Sequence, residues 1–196
     1  MAKRSNAQRG RQGSIRIIAG EWRGRRLRIP EGTSVRPTPD RVRETLFNWL
    51  RDTIVGARCL DLCAGSGALG FEALSRGAAQ VYFVERDPRL IESLRAHAAA
   101  FGVNPPIIRQ DAEAFLQGVV HERFDVAFVD PPYDAPLDPL LGLLARWLTR
   151  GAMIYVERRR VPGLPQTDLG TWLKRSTAGA VEYGLLTLAD ANAGAT

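Results

Sequence analysis

The residues best suited by type to do chemistry are Asp130, Pro131, Pro132 and Tyr133, which follow at once on the run Phe124–Val129. Five of the six residues in that run are apolar, as in a parallel strand buried on both faces. Neither proline donates a backbone hydrogen bond and both restrict φ, so the carbonyls of Asp130 and Pro131 are held in fixed directions. Rigid acceptors beside a flat ring suit a planar ligand that carries an amino group. A strand stop followed by a tight loop uses the same residue types, so the tetrapeptide alone leaves both readings open.

A second constellation lies upstream. Gly65, Gly67 and Gly70 form a GxGxxG pattern after Asp61, which permits close backbone approach to a ligand. Glu85 stands twenty residues after Gly65, where an acid can hold the two hydroxyls of a ribose. A nicotinamide dinucleotide would satisfy the glycines and Glu85. Asp61 argues against it: four residues before the first glycine, its carboxylate would repel a diphosphate and welcome the ammonium group of an amino-acid-bearing cofactor.

The elements that must position these residues alternate. Strands are predicted near 58–62, 80–85, 106–110, 124–129 and 152–157, and helices near 69–76, 88–101, 111–117 and 137–148. Gly77 and Gly102 fall where helix C-terminal glycines belong. This alternation predicts a mostly parallel sheet with helices on both faces and a ligand crevice beyond the carboxyl ends of the strands. After Arg158-Arg159-Arg160, a run that also reads as a plain solvated stretch, a short helix near 168–173 and strands near 175–178 and 181–188 are predicted, giving seven strands in all. Ahead of the alternation, Thr38 reads as an N-cap, with Pro39 at the first helical position and Asp40 at the positive end of the dipole. Val42, Leu46, Trp49 and Leu50 give that helix one apolar face. Its start also suits an anion.

The N-terminal quarter has a different character. Residues 1–51 hold 13 Lys/Arg against 4 Asp/Glu, a net of +9, while residues 52–196 hold 14 against 17, a net of −3. Such asymmetry suggests a polyanion-binding arm on a mildly acidic body. Of the 27 basic residues 25 are Arg, whose planar fork suits phosphate and guanine edges. Residues 1–13 read as a disordered basic tail and 14–35 as a β-hairpin turning at Gly20–Gly24. The hairpin carries Arg16, Arg23, Arg25, Arg26 and Arg28, with Trp22 at its tip. Phosphate neutralisation plus a ring on which a base can stack is what a nucleic-acid contact needs; Trp22 could equally pack the hairpin onto the body. Residues 36–189 form the predicted main domain, and 190–196 a loose tail.

Composition excludes little else. No apolar run approaches the roughly 20 residues of a membrane span, and no secretory signal is evident, so the cytoplasm is the expected compartment. Cys59 and Cys63 form no CxxC pair, and His97 and His121 have no ligand spacing, so no structural metal is expected.

Taken together, Asp61, Gly65, Gly67, Glu85, Asp111-Ala112 and Asp130-Pro131-Pro132-Tyr133 resemble a class I S-adenosylmethionine-dependent methyltransferase. The last four resemble the motif of enzymes that methylate exocyclic amino groups of bases. Arg16-Ile17-Ile18-Ala19-Gly20, Gly24-Arg25-Arg26-Leu27 and Arg36-Pro37-Thr38 through Arg43-Glu44-Thr45-Leu46-Phe47-Asn48 resemble the bacterial 16S ribosomal RNA guanine-N2 methyltransferases. The resemblance spans about residues 14–188. It implies a Rossmann-like α/β fold, S-adenosylmethionine as cofactor, and methyl transfer to guanine N2 in 16S rRNA, within a 30S subunit or an assembly intermediate, with no obligate protein partner. Asp130, Pro131 and Tyr133 would be catalytic. Thr38, Asp61, Gly65, Gly67, Glu85, Arg86, Asp111, Ala112 and Asp130 would hold the cofactor. RNA would meet Arg16, Trp22, Arg23, Arg25, Arg26, Arg28 and Arg36. A DNA adenine-N6 methyltransferase and a non-catalytic RNA-binding assembly factor are the alternatives.

Overall fold

The computed structural model describes residues 13–33, 38–132, 136–161 and 163–189. The elements run β1 (Ser14–Arg16), β2 (Arg26–Arg28), α1 (Asp40–Trp49), β3 (Arg58–Asp61), α2 (Ala68–Ser75), β4 (Gln80–Glu85), α3 (Pro88–Phe101), β5 (Ile107–Arg109), α4 (Ala112–Gln117), β6 (Phe124–Val129) and α5 (Leu137–Leu144). A 3₁₀ turn (Ala145–Trp147) and β7 (Leu148–Arg159), β8 (Gly170–Ala178) and β9 (Val181–Leu188) complete them. Seven strands form one sheet in the order β5-β4-β3-β6-β7-β9-β8. β3 to β7 are parallel, and β9 and β8 are antiparallel additions.

The period-2 alternation of a strand sends neighbouring residues to opposite faces, and here both faces are apolar. One face packs Cys59, Phe83, Val126 and Phe128 under α1, α2 and α3. The other packs Leu60, Val84, Ala127 and Val129 under α4 and α5. That is why Phe124–Val129 reads as a continuous apolar run. The strand order reverses between β3 and β6, which opens the crevice of a doubly wound sheet just past Asp61 and Asp130.

Three sequence-based expectations fail. The helix expected near 168–173 is instead the start of β8, because Thr171 and Trp172 pair with Thr187 and Leu186 of β9, and tertiary pairing overrides weak local preference. The helix expected to run to 148 stops at Leu144, and β7 begins at Leu148, paired to Phe124 through an irregular register. Thr38 does not cap α1. Pro39 occupies the cap position without a side-chain hydrogen bond, and Thr38 is turned to another use described below. Tails were expected over 1–13 and 190–196; apart from Gly13 and its bond from Ile29 N (2.9 Å), these lie outside the described residues.

Candidate active site

Carboxylates gather where parallel strands end. Asp61 is the last residue of β3, Glu85 the last of β4, Asp130 follows β6, and Asp111 lies just past β5. The burial of Cys63 in the loop after β3 pushes its thiol up, and the charges of Asp130, Asp61, Glu85 and Asp111 push it further in the same direction. The charges of all four carboxyls are therefore felt in the glycine loop. Such an acid set suits a cationic ligand and would repel a diphosphate.

Each acid has a defined hold. Asp61 is buried and accepts from Gly70 N at 2.9 Å, so it clamps the first turn of α2 as well as facing the crevice. Desolvation by burial pushes it up to about 7, against the lowering effect of the Gly70 bond and with a further rise from Glu85. Glu85 accepts from Gly65 N (2.8 Å) through Oε2, and from Arg86 N (2.8 Å) and Asp87 N (2.9 Å) through Oε1. It thereby ties the glycine loop to the start of α3. Asp111 caps α4 through Oδ1, accepting from Glu113 N (3.0 Å) and Ala114 N (3.4 Å), while Arg86 approaches its Oδ2 at 3.8 Å. Ala112 opens that helix.

The glycines have separate reasons. Gly67 lies at φ +76°, and a Cβ there would meet Leu94 Cδ2 at 2.5 Å. At Gly70 a Cβ would meet Phe83 Cε1 at 2.3 Å, so the third glycine lets α2 press against β4.

Asp130 is partly buried. Thr38 Oγ1 donates to its Oδ2 at 3.3 Å, bringing the start of α1 over the end of β6. Burial raises Asp130 well above the usual carboxylate range, the neighbouring charges of Glu157 and Asp61 add to that, and the Thr38 bond opposes it. Pro131 is buried and Pro132 exposed. Tyr133 and Arg36 lie outside the described residues.

A family model described as "Conserved hypothetical protein 95" matches residues 15–187. The chain belongs to this family. It is 45% identical over 180 residues to the Ribosomal RNA small subunit methyltransferase D of Escherichia coli strain K12, covering 88% of this chain and 89% of that protein. An Escherichia coli structure described as a candidate methyltransferase, yhhF, superposes with a TM-score of 0.83 at 43% identity, covering 90% of this chain and 98% of that one. A Thermus thermophilus 16S rRNA N2 G1207 methyltransferase, solved with AdoMet and guanosine, gives a TM-score of 0.67 at 18% identity, over 91% of this chain and 50% of that one. That last likeness is one of fold.

The basic hairpin is built in, not held out. Ile15, Ile17, Trp22 and Leu27 are core residues. The buried Glu72 of α2 accepts from Ile18 N (2.7 Å) and Ala19 N (3.0 Å), Arg43 of α1 donates to Arg16 O (2.9 Å), and His97 Nε2 accepts from Arg28 N (2.9 Å). Trp22 corrects the expectation of a base-stacking ring: it is 6% exposed and stacks on Phe101 of α3 with centroids 4.5 Å apart. Arg25 lies over the same Phe101 ring and donates to Ala100 O.

The direction of the hairpin also matters. Its tip meets Ser75 and Phe101, the C-terminal ends of α2 and α3, which lie at the amino ends of the strands. Arg23 therefore sits at the rim opposite Asp130. Arg16, within 3.7 Å of Asp40 at the start of α1, and Gly32, bonded to Arg89 near the start of α3, lie toward the rim that carries the acids.

Sequence reasoning missed Glu72, Arg43 and His97, which anchor the hairpin, and Glu157 with Tyr155. A signal for Glu157 existed: like Asp61, Glu85 and Asp130, it follows an apolar stretch on a predicted parallel strand.

Proposed function

We propose that the protein transfers a methyl group from S-adenosylmethionine to the exocyclic N2 of a guanine in 16S rRNA, presented in a 30S subunit or assembly intermediate in the cytoplasm. The observation that carries this reading is Asp130-Pro131 at the switch point of the sheet, beside a glycine loop ringed by carboxylates. The 45% identical Escherichia coli relative, named for small-subunit rRNA methylation, supports the acceptor class. Among the described residues no helix is long and apolar enough to cross a membrane.

The acids fit the cofactor's chemistry. When bound, it supplies an electrophilic methyl on a cationic sulfonium. Asp61 and Thr38 would face its amino-acid end, with Gly65 and Gly67 against its body. Glu85 would accept from the ribose hydroxyls, and Asp111, with Ala112 and Arg86 beside it, would flank the adenine. Asp130 Oδ1 and the Pro131 carbonyl would accept from the two N2 hydrogens of guanine. An aromatic amine is a poor nucleophile because its lone pair is delocalised; two fixed acceptors pyramidalise it and aim it in line with the methyl. Tyr133 would stack on the base, which must leave its own stack.

The test is direct. Purified protein, labelled S-adenosylmethionine and under-methylated 30S subunits should yield N2-methylguanosine on nucleoside digestion. Asp130→Ala should lower transfer about a hundredfold or more while leaving cofactor affinity within a few fold. With DNA supplied as a competing acceptor, label appearing as N6-methyladenine in the DNA, or cofactor binding with no transfer at all, would overturn the reading.

A further inference from the structure

β3, β6, β7 and β9 present their side chains in rows. Asp61 is registered with Phe128, Phe128 with Tyr155, and Tyr155 with Leu185. Two residues further along each strand the same face comes round again. Asp130 lies one residue past β6, so the register of Val129 with Val156, carried on by one residue, sets it beside Glu157, and Glu157 is registered with Tyr183. Adjacent strands stand about 5 Å apart, so the partly buried Asp130 and the buried Glu157 are neighbours across that spacing. Glu157 is 4% exposed and Tyr155 is 0%. The Tyr155 hydroxyl donates to Glu157 Oε2 at 2.7 Å, and its ring lies 6.3 Å from that of Tyr183.

We propose that Glu157, held by the Tyr155 hydroxyl, is a positioning residue for the transfer step: its carboxylate stands behind Asp130 and primes Asp130 to take the proton that the methylated amine sheds. This rests on the reading above. In the step, the N2 lone pair forms the bond to the methyl carbon as the methyl–sulfur bond breaks, and that bond's electron pair stays on sulfur. N2 is left with a positive charge and one proton too many. The proton passes to the Asp130 carboxylate, making it a carboxylic acid, and then to solvent.

An ordinary carboxylate is a weak base for this work, since a proton acceptor is most effective when its affinity is matched to the working pH. Two carboxyls side by side in a desolvated place do not both ionise cheaply. The groups around Asp130 are Thr38 ahead of α1, Asp61 from β3, Cys63 from the loop after it, and Tyr155 and Glu157 from β7, with Tyr183 of β9 beyond Glu157. Burial acts first on Asp130, and Glu157 is the foremost of its charged neighbours. Tyr155 is raised by burial and then by the charges of Glu157 and Asp130, so phenol and both carboxyls form one electrostatic unit. Glu157 reaches Asp130 through the sheet and has no need to touch guanine or cofactor.

Glu157→Gln removes the charge while keeping an oxygen for the Tyr155 hydroxyl. It should lower kcat about tenfold and move the acid limb of the kcat–pH profile down by about one unit, with S-adenosylmethionine affinity within twofold. Glu157→Asp should keep the wild-type limb. A fall in kcat with the limb in place, or an equal fall in cofactor affinity, would overturn the proposal. An independent measurement needs no variant and no turnover. In the wild-type protein with carboxyl-¹³C aspartate and glutamate, Asp130 should titrate well above the ordinary carboxylate range and in steps shared with Glu157. A single Asp130 step in the ordinary range would overturn the proposal as well. Asp130→Asn separates the two levels: an active variant removes the assigned role of Asp130, whereas a dead one with an unmoved Glu157→Gln profile removes only the role of Glu157.

Discussion

Two buried charge clusters lie on the same face of the sheet and are built on opposite plans. Beneath the hairpin, Glu72 is met by Arg76 at 2.7 Å and by Arg43 at 3.6 Å, and Arg43 also holds Asp40 at 2.6 Å. Acids and guanidiniums alternate there, and the same Glu72 accepts two hairpin N–H groups. At the end of β3, just past β6 and near the end of β7, three carboxyls crowd together: Asp61 accepts from Gly70 N, Asp130 from Thr38 and Glu157 from Tyr155. In the first cluster the acids are met by guanidiniums, so it serves architecture. In the second, burial raises Asp61 and Asp130 above the usual carboxylate range, so a cation is welcome there. Buried charges met by opposite ones mark a joint, and like charges gathered at strand ends mark a site.

The largest expected effect comes from breaking the joint. Glu72→Ala would leave Arg43 buried with one of its two acidic partners gone, costing about 3–5 kcal/mol, or on the order of 10 °C in Tm for a chain of this size. Scanning calorimetry checks this. A loss under about 1 kcal/mol would reduce the cluster to the worth of a surface ion pair.

Asp61→Asn probes the other plan and should carry the opposite sign. Asp61 is raised to about 7 in the folded protein, so between its unfolded value near 4 and that value the folded state holds a proton that the unfolded state lacks. Stability is then lost as pH rises through this window, by at most about 4 kcal/mol. The amide, which cannot ionise, should raise Tm by several degrees at pH 8 and by little at pH 5, while weakening S-adenosylmethionine binding. An equal change in Tm at both pH values would show that Asp61 is ionised at no cost.

Smaller effects should sort the hairpin arginines by rim. Replacing Arg16 and Arg28 by Ala should weaken binding to a 16S rRNA fragment and flatten its log–log salt dependence by roughly 1.5. Arg23→Ala, at the far rim, should leave the slope in place. Filter binding across a salt series reads both, and equal slopes for the two variants would mean that RNA wraps the tip as well.

Trp22→Phe should leave RNA affinity unchanged within about twofold, because Trp22 is covered by Phe101. A tenfold loss would restore the ring to the RNA surface.

Much of the site was legible in the chain itself, because its signals are local. Glycine spacing, a carboxylate closing an apolar run, and two prolines after Asp130 each constrain a few adjacent residues, and local sterics carry that information. The alternation of strand and helix followed for the same reason, and with it the rim on which Asp61, Glu85, Asp111 and Asp130 meet. The basic bias of the first quarter was equally plain, but its use was not. Whether Trp22 faces a base or Phe101, and which rim Arg23 occupies, depends on contacts with residues more than fifty positions away. The same is true of Thr38, a good cap by type that is drawn instead to Asp130 across 92 positions. The sequence by itself determined which chemistry is present and in which strand-end loops it lies. Only the tertiary structure decided which charges meet, because strand register, not chain order, sets Glu157 beside Asp130, and the meeting of α1 and α2 sets Arg43 beside Glu72.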